Sequence, residues 1–507
     1  MRLKKFLDLR QSVRRYNSTS VVEVGAKECW RLWNTTWSEP LDWIKGNIRR
    51  NHAIRLMLLA SAGNPHRRGE MTPRQFDALM DAHYSYDGHT IQNGEVLDEE
   101  TAEIWNAITT WEEKYANKAN NCKLKLSDIA SLELVRSSVP ILFLQRGVAF
   151  QNAGMGKPVT RITRTMKMVE LLDLHSNSRF SESFSADIGM SPAEYCRHFM
   201  PCLSHFVVQK ERLGFCDTSQ LIVTDKELRQ RGFSTDSLQV FISHSSRPFT
   251  SQSESSFRSV VSKALDAVSD AYQPFFRNSF LDFPIIEISS TKVCLPDPFS
   301  FTESCWNQIS QLGSSNGSQK AKGGWISSAF EGYLESVLFS SIGASRFERI
   351  PRVNNDKRAD FLIETQSAYI LIECKNSVMS ADTSAYFQAD KIAELWYRIH
   401  LASDQIGKTV SALNLKNKPT IPVVLTIYEG MAASEVFGDM MTKTDYCSVM
   451  GFSISPVVLS IHEFEHQLRD RSIDNWAQLT MAKRGNSYIS ADDKGHSYKH
   501  LEEIPLF

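Results

Sequence analysis

Apolar positions recur at three- and four-residue spacing through most of the first 300 residues, the signature of amphipathic helices. Trp30, Trp33, Trp37 and Trp43 open this stretch, and Ile54, Met57 and Leu58 continue it; with Met166 and Met168 they read as core filling. One helix start is written out in residues. Ser191 precedes Pro192, and Glu194 follows three positions after the serine, giving an N-cap, a first-turn proline and a capping-box acid. The helix that follows would bury Cys196, Phe199, Leu203, Phe206 and Val207 on one stripe and bend at Pro201. Asp225 to Arg231 and Ser234 to Ser243 outline two short helices broken by Gly232, as two packed helices or a helix-turn-helix would be. Ser243 to Ser256 and Gly313 to Gly324 are polar, Ser- or Gly-rich stretches expected to be loops.

After Trp325 the period changes. A helical stripe of Phe330, Tyr333, Leu334, Val337 and Leu338 runs to Gly343, and strands are predicted at Phe347 to Val353, Ala359 to Glu364 and Tyr369 to Lys375. A long helix is predicted over Ser384 to Ile406, ending at Gly407. Ile421 to Tyr428 and Pro456 to His462 are β-branched apolar runs suited to strands buried on both faces. The chain therefore divides into a helical region over 1–180, a mainly helical region over 181–312, and an α/β module over 325–507. No internal repeat is visible.

Length and charge narrow the class. The chain has 507 residues, enough for about three domains of ordinary size. Hydrophobic residues make up 42% and charged residues 23%, and 57 Lys and Arg nearly cancel 58 Asp and Glu. That is globular composition, and any nucleic-acid contact must come from local clusters of basic side chains. The nine cysteines form no C-x-x-C pair and read as reduced thiols of a cytoplasmic protein. Asp8 and Arg10 interrupt what would be the apolar core of an export signal, and no apolar run approaches the roughly 20 residues of a membrane span. No membrane partner is expected.

The chemistry lies in Arg358 to Lys375. If this stretch is a hairpin turning about Gln366 and Ser367, Asp360 falls opposite Glu373. Directly opposed residues have Cβ atoms about 4.5–5.5 Å apart, where two carboxylates repel unless a cation lies between them. Oxygen donors favour a hard divalent cation, Mg²⁺ or Mn²⁺. Alternation places Lys375 on the face of Glu373, with Ile370, Ile372 and Cys374 on the other. An ammonium there can orient or deprotonate a water, or neutralise charge on a phosphate, and a neighbouring cation would lower its pKa. A rival cluster, Cys196, His198, Cys202 and His205, lacks the spacing of a zinc finger, and its members would not converge from one helix.

Asp360, twelve intervening residues and Glu373-Cys374-Lys375 resemble the signature of the PD-(D/E)xK nuclease superfamily, with Ala359 where the name-giving proline would stand. The resemblance covers only the C-terminal module. It implies a restriction-endonuclease-like fold, a mixed sheet flanked by helices in the order helix, three strands, helix, strand, preceded here by the mainly helical N-terminal region. It also implies that Asp360 and Glu373 bind metal and that Lys375 acts on the water or transition state. A glutamate from the preceding helix should complete the site, Glu331 or, one turn on, Glu335. A glutamine on the helix after the lysine strand assists some members, which points to Gln388, with Lys391 on its face but Ile392 where a tyrosine is usual. Arg346, Arg349, Arg352, Lys357 and Arg358 could hold phosphates.

The activity implied by the resemblance is metal-dependent phosphodiester hydrolysis, with DNA the expected substrate and RNA left open. The setting would be restriction or anti-phage defence. A junction-resolving or transposon-end nuclease would share the chemistry, and a non-cleaving nucleic-acid-binding or scaffolding subunit would retain only the fold. Two strands need two sites, so a homo-oligomer is expected. No Gly-rich phosphate loop is present, so any ATP dependence would require a partner protein.

Overall fold

Three features of the chain build the C-terminal sheet: an apolar helix stopped by a glycine, a hairpin with a short polar turn, and a long amphipathic crossover. In the computed structural model, which describes residues 2–35, 40–63, 67, 69–92, 97–127, 158–208, 215–217, 235–249, 253–267, 276–289, 292–311, 319–351, 358–376, 389–427 and 446–482, all three are present. The apolar helix spans Gln319–Ile342, buries Phe330, Tyr333, Leu334, Val337 and Leu338, and ends where Gly343 takes φ +84°. It begins inside the stretch expected to be a loop up to Gly324, and a Cβ at Gly323 or Gly324 would meet no described atom within 4 Å.

The sheet that follows has the order β5-β6-β7-β8-β9, with β5 Phe347–Arg349, β6 Phe361–Glu364, β7 Tyr369–Lys375, β8 Thr420–Thr426 and β9 Val457–Ser460. β5, β6 and β7 pair antiparallel, whereas β8 lies parallel to both β7 and β9. A parallel neighbour requires a crossover. The helix Ala389–Ala412 provides it. The hairpin register is the one a turn about Gln366 and Ser367 demands, from Glu364 opposite Tyr369 to Phe361 opposite Ile372. Every residue of β8 is buried, as expected for a central strand covered on both faces.

Several boundaries differ from those expected of the sequence, each for a local reason. β5 is shorter than the predicted Phe347 to Val353, and 352–357 lie outside the described residues. β6 starts at Phe361 because Ala359 sends its N–H to Thr409 Oγ1 on the crossover helix, away from the ladder. That helix runs through Gly407 to Ala412: a Cβ at Gly407 would stand 3.1 Å from the Met450 carbonyl oxygen and 3.2 Å from its sulfur, so the glycine marks close packing, not a helix end. β9 stops at Ser460, whose side chain forms a capping box with Glu463 and starts the helix Ile461–Asp470, leaving His462 helical.

The region before residue 312 is not purely helical. Alongside helices such as Ser18–Trp33, Pro40–Ser61, Leu97–Lys114, Pro158–Ser176, Pro192–Val208 and Pro298–Gln311, it holds a second mixed sheet of order β1-β4-β3-β2. Its strands are β1 Phe215–Asp217, β2 Ser246–Pro248, β3 Ile285–Ser289 and β4 Lys292–Cys294. Ser243 to Ser256, expected to be a loop, thus contains the end of the helix Thr235–Ser245 and strand β2. The first helix of the expected pair, Asp225 to Arg231, lies outside the described residues. The Ser191 cap is as predicted, its hydroxyl accepting from the Glu194 N–H at 3.2 Å.

Two hydrophobic cores lie on opposite faces of the C-terminal sheet. One joins Leu371, Val424 and Val458 to the crossover helix and to the helices of residues 2–126. The other joins Ile370, Ile372, Val423 and Leu459 to the Gln319–Ile342 helix and to helices between 158 and 311. Each core takes residues from all three expected stretches. Among the described residues, no helix is long and apolar enough to cross a membrane.

Candidate active site

The end of β7 carries the candidate chemistry, and strand alternation decides which side chains meet there. Glu373 is buried, with Lys375 two residues on and on the same face. The Lys375 ammonium donates to Glu373 Oε1 in a close ion pair, and also to Gln405 Oε1 at 2.9 Å. Glu373 Oε2 has no hydrogen-bond partner among the described residues. Burial pushes the Glu373 carboxyl up to about 8; the ammonium of Lys375 opposes the shift, and the charges of Asp360 and Glu331 add to it. A carboxyl so placed is short of positive charge.

Asp360 stands just beyond the β6 ladder. Its N–H donates to the Ile372 carbonyl at 2.9 Å, and its Oδ2 accepts the Cys374 N–H at 2.7 Å, which pins the carboxylate beside the strand carrying Glu373. Glu331 comes from the Gln319–Ile342 helix and accepts from Arg349 Nη2 at 2.5 Å. The second nitrogen of Arg349 lies 3.6 Å from Glu335. The two glutamates differ in position: the Glu331 side chain is 7% exposed and acts electrostatically on Glu373, whereas that of Glu335 is 47% exposed. Four expected residues, Glu331, Asp360, Glu373 and Lys375, are thus brought into one electrostatic cluster.

Other expectations are resolved differently. Gln388, Arg352 and Lys357 lie outside the described residues. Arg346 is paired with Asp474 at 2.7 Å, so two of the expected phosphate-binding arginines are already held by carboxylates. The glutamine that does reach the lysine is Gln405, on the crossover helix. Its Oε1 accepts from Lys375, and its Nε2 donates to the Arg358 carbonyl at 3.2 Å, tying the two strand ends together. The available signal was a polar pair, Gln405 and Thr409, one turn apart among otherwise buried positions of an amphipathic helix.

The donor set suits a hard cation in kind: two carboxylates, one of them with an unanswered oxygen. As the side chains stand, no three His, Cys, Asp or Glu residues among those described converge on one ion position. Asp360 and Glu373 are therefore the pair that could hold Mg²⁺ or Mn²⁺, and Glu331 could join them only by exchanging Arg349 for the metal. In the rival cluster, His198 is already engaged. His198 spends one ring nitrogen on the Glu194 carbonyl at 2.7 Å and the other on Ser237 Oγ at 3.0 Å, and stacks on Phe241. His462-Glu463-Phe464-Glu465-His466, overlooked in the sequence, has a spacing that can hold zinc on a helix. Arginines face both histidines here: Arg164 Nη2 is 3.1 Å from His462 Nδ1 and Arg469 Nη2 is 2.9 Å from His466 Nε2, while Glu463 serves as a helix cap.

No family model matches this chain, and neither does a curated protein or a solved structure. The functional reading therefore stands on the residues at the end of β7.

Proposed function

We propose that the C-terminal module is a restriction-endonuclease-like nuclease domain of the PD-(D/E)xK kind, hydrolysing phosphodiester bonds in DNA, with Mg²⁺ or Mn²⁺ held by Asp360 and Glu373. The observation that carries this reading is Glu373: a buried carboxyl pushed up to about 8, with one oxygen unanswered, beside Asp360, Glu331 and Lys375. A divalent cation there would supply Lewis acidity and a more acidic bound water. The chain supplies the rest. The Cys374 N–H orients Asp360, and Gln405 holds the Lys375 ammonium, which neutralises charge developing on the phosphate. The strand order and connections, antiparallel hairpin then parallel crossover, agree with the order of elements the resemblance implies. We place the protein in the cytoplasm, in restriction or anti-phage defence, as a homo-oligomer with a site for each strand.

A second reading, a non-cleaving nucleic-acid-binding or scaffolding subunit, draws on one observation: Lys375 already neutralises part of Glu373 without a metal. Cleavage separates the two. Purified protein is incubated with supercoiled and linear DNA in Mg²⁺, Mn²⁺ or EDTA, with Lys375→Ala and Asp360→Ala alongside. The nuclease reading expects metal-dependent nicks or breaks that fall by about 100- to 1000-fold in Lys375→Ala, the scale of losing one charge-stabilising donor. Wild-type protein inert in every metal, and binding DNA as both variants do, would leave the scaffolding reading. Branched and transposon-end substrates then separate a junction or end nuclease from a restriction enzyme.

A further inference from the structure

The proposed nuclease reading leaves the N-terminal helices without a role, yet one of their segments is clamped to the helix that holds the active-site lysine. Lys114, Lys118, Lys123 and Lys125 fall within twelve residues that contain no Asp or Glu. The segment is fixed from several sides. The Lys123 N–H donates to Asp404 Oδ1 at 2.9 Å, Lys123 Nζ donates to the Gly407 carbonyl at 3.1 Å and Ser411 Oγ at 3.0 Å, and His400 Nε2 donates to the Leu124 carbonyl at 2.8 Å. All four partners lie on the crossover helix Ala389–Ala412, and Asp404 is adjacent in sequence to Gln405, which touches Lys375.

The lysines are held ready, not neutralised. Trp111, Tyr115 and Tyr397 form a stack, with centroids 5.3 Å apart between the first two and 6.1 Å between the last two. Lys114 Nζ lies 4.9 Å from the Trp111 ring centre and Lys118 Nζ 5.1 Å from that of Tyr115. Lys114, Lys118 and Lys125 are exposed, and none forms an ion pair with a carboxylate among the described residues. Ring faces fix an ammonium in position while leaving its charge available to an anion.

We propose that this lysine ledge binds the phosphate backbone of the nucleic acid that the module cleaves, along the flank of the crossover helix that carries Gln405. A row of exposed ammonium groups on a fixed frame is complementary to a polyanion with regularly spaced charge. The inference rests on the nuclease reading for the identity of its ligand. It assigns to the N-terminal helices the task of carrying substrate-binding charge to the catalytic module.

The test is salt-dependent binding of duplex and single-stranded DNA to the full chain in EDTA. It compares wild type, Lys114→Ala/Lys118→Ala/Lys125→Ala and the matching triple Lys→Arg variant. The alanine triple should bind more weakly, with the slope of log K against log salt reduced by about 2 to 3 for duplex DNA, roughly 0.9 for each phosphate no longer neutralised. The arginine triple should bind like wild type, which removes misfolding as an explanation. Unchanged slope and affinity in the alanine triple overturn the ledge, whether or not the protein cuts. Equal loss of a polyglutamic acid probe that competes with DNA only weakly would reassign the surface to an acidic protein and also overturn it. A ledge that behaves as expected in a protein that never cleaves would remove the nuclease reading alone.

Discussion

Arg50 and Asp297 are buried almost completely, their side chains 1% and 0% exposed, and the pair is matched atom for atom: Nε and Nη2 of Arg50 donate to the two oxygens of Asp297 at 3.0 and 2.9 Å. Ser300 adds its N–H at 2.8 Å and its hydroxyl at 2.5 Å to Asp297 Oδ2. Glu373 is buried as deeply, but Lys375 reaches one of its oxygens and the other has no partner among the described residues. Both regions took a charge out of water. Only the second left a charge unsatisfied, at the end of a strand, beside other carboxylates. Buried charge alone is therefore a poor guide to function, since a well-matched pair is a structural device. The informative quantity is the mismatch.

The largest effect should come from breaking the matched pair. Asp297→Ala strands the Arg50 guanidinium and should cost about 3–5 kcal/mol in chemical denaturation, whereas Arg50→Met with Asp297→Leu should recover most of that. DNA cleavage per folded molecule should be unchanged in the double variant. A loss below about 1 kcal/mol in Asp297→Ala would mean that the pair is not a closed structural device, and the contrast with Glu373 would fail.

Glu373 should behave in the opposite way. Its folded carboxyl lies at about 8, above the ordinary 4.5, so the folded protein binds that proton more tightly than the unfolded chain does. The metal-free fold should therefore lose stability as pH rises from about 4.5 through about 8, the window between the two values. Glu373→Gln removes that dependence and should raise the metal-free Tm at pH 9 by about 2–4 °C, the size of a 1 kcal/mol change in a large domain, while abolishing cleavage. Mg²⁺ should raise the wild-type Tm more at pH 9 than at pH 6, because the deprotonated carboxylate is the form that binds it. A Tm profile for Glu373→Gln that parallels wild type across that window would mean the mismatch carries no free energy.

How much of this was legible depends on which interactions are local. The hairpin register is: a turn at Gln366 and Ser367 fixes every pairing up to Phe361 and Ile372, and with it the meeting of Asp360 and Glu373. The stripe of the Gln319–Ile342 helix is too, because the helical period repeats Phe330, Tyr333, Leu334, Val337 and Leu338 on one face. The second sheet was not. Three of its strands are three residues long, too short for an alternation to show, and β2, ending at Pro248, pairs with a β3 that begins only at Ile285, beyond the whole helix Phe257–Asp266. Gly407 read as a helix end because only the tertiary packing of Met450 explains a glycine there. Arg349 read as a phosphate ligand because its pairing with Glu331 joins a strand to a helix.

Gln405 is the residue that sequence could not rank, and it offers the finest test of the mismatch. It lies on a different element from both carboxylates, and its side chain bridges the Lys375 ammonium at 2.9 Å and the Arg358 carbonyl at 3.2 Å. If Lys375 were held by Glu373 alone, removing Gln405 would change nothing in catalysis. If Gln405 shares the ammonium, Gln405→Ala lets Lys375 settle more fully on Glu373 and leaves less of it for the phosphate. A hydrogen bond to a charged group contributes about 1.5–3 kcal/mol, so kcat should fall by about 10- to 100-fold with KM for DNA nearly constant. Because the two residues compete for one ammonium, the loss should appear in kcat at saturating Mg²⁺ without a matching loss of DNA affinity. A merely structural role for Gln405 would lower the Tm together with activity, and Gln405→Glu, which adds a carboxylate beside Lys375, should deepen the loss instead of restoring it.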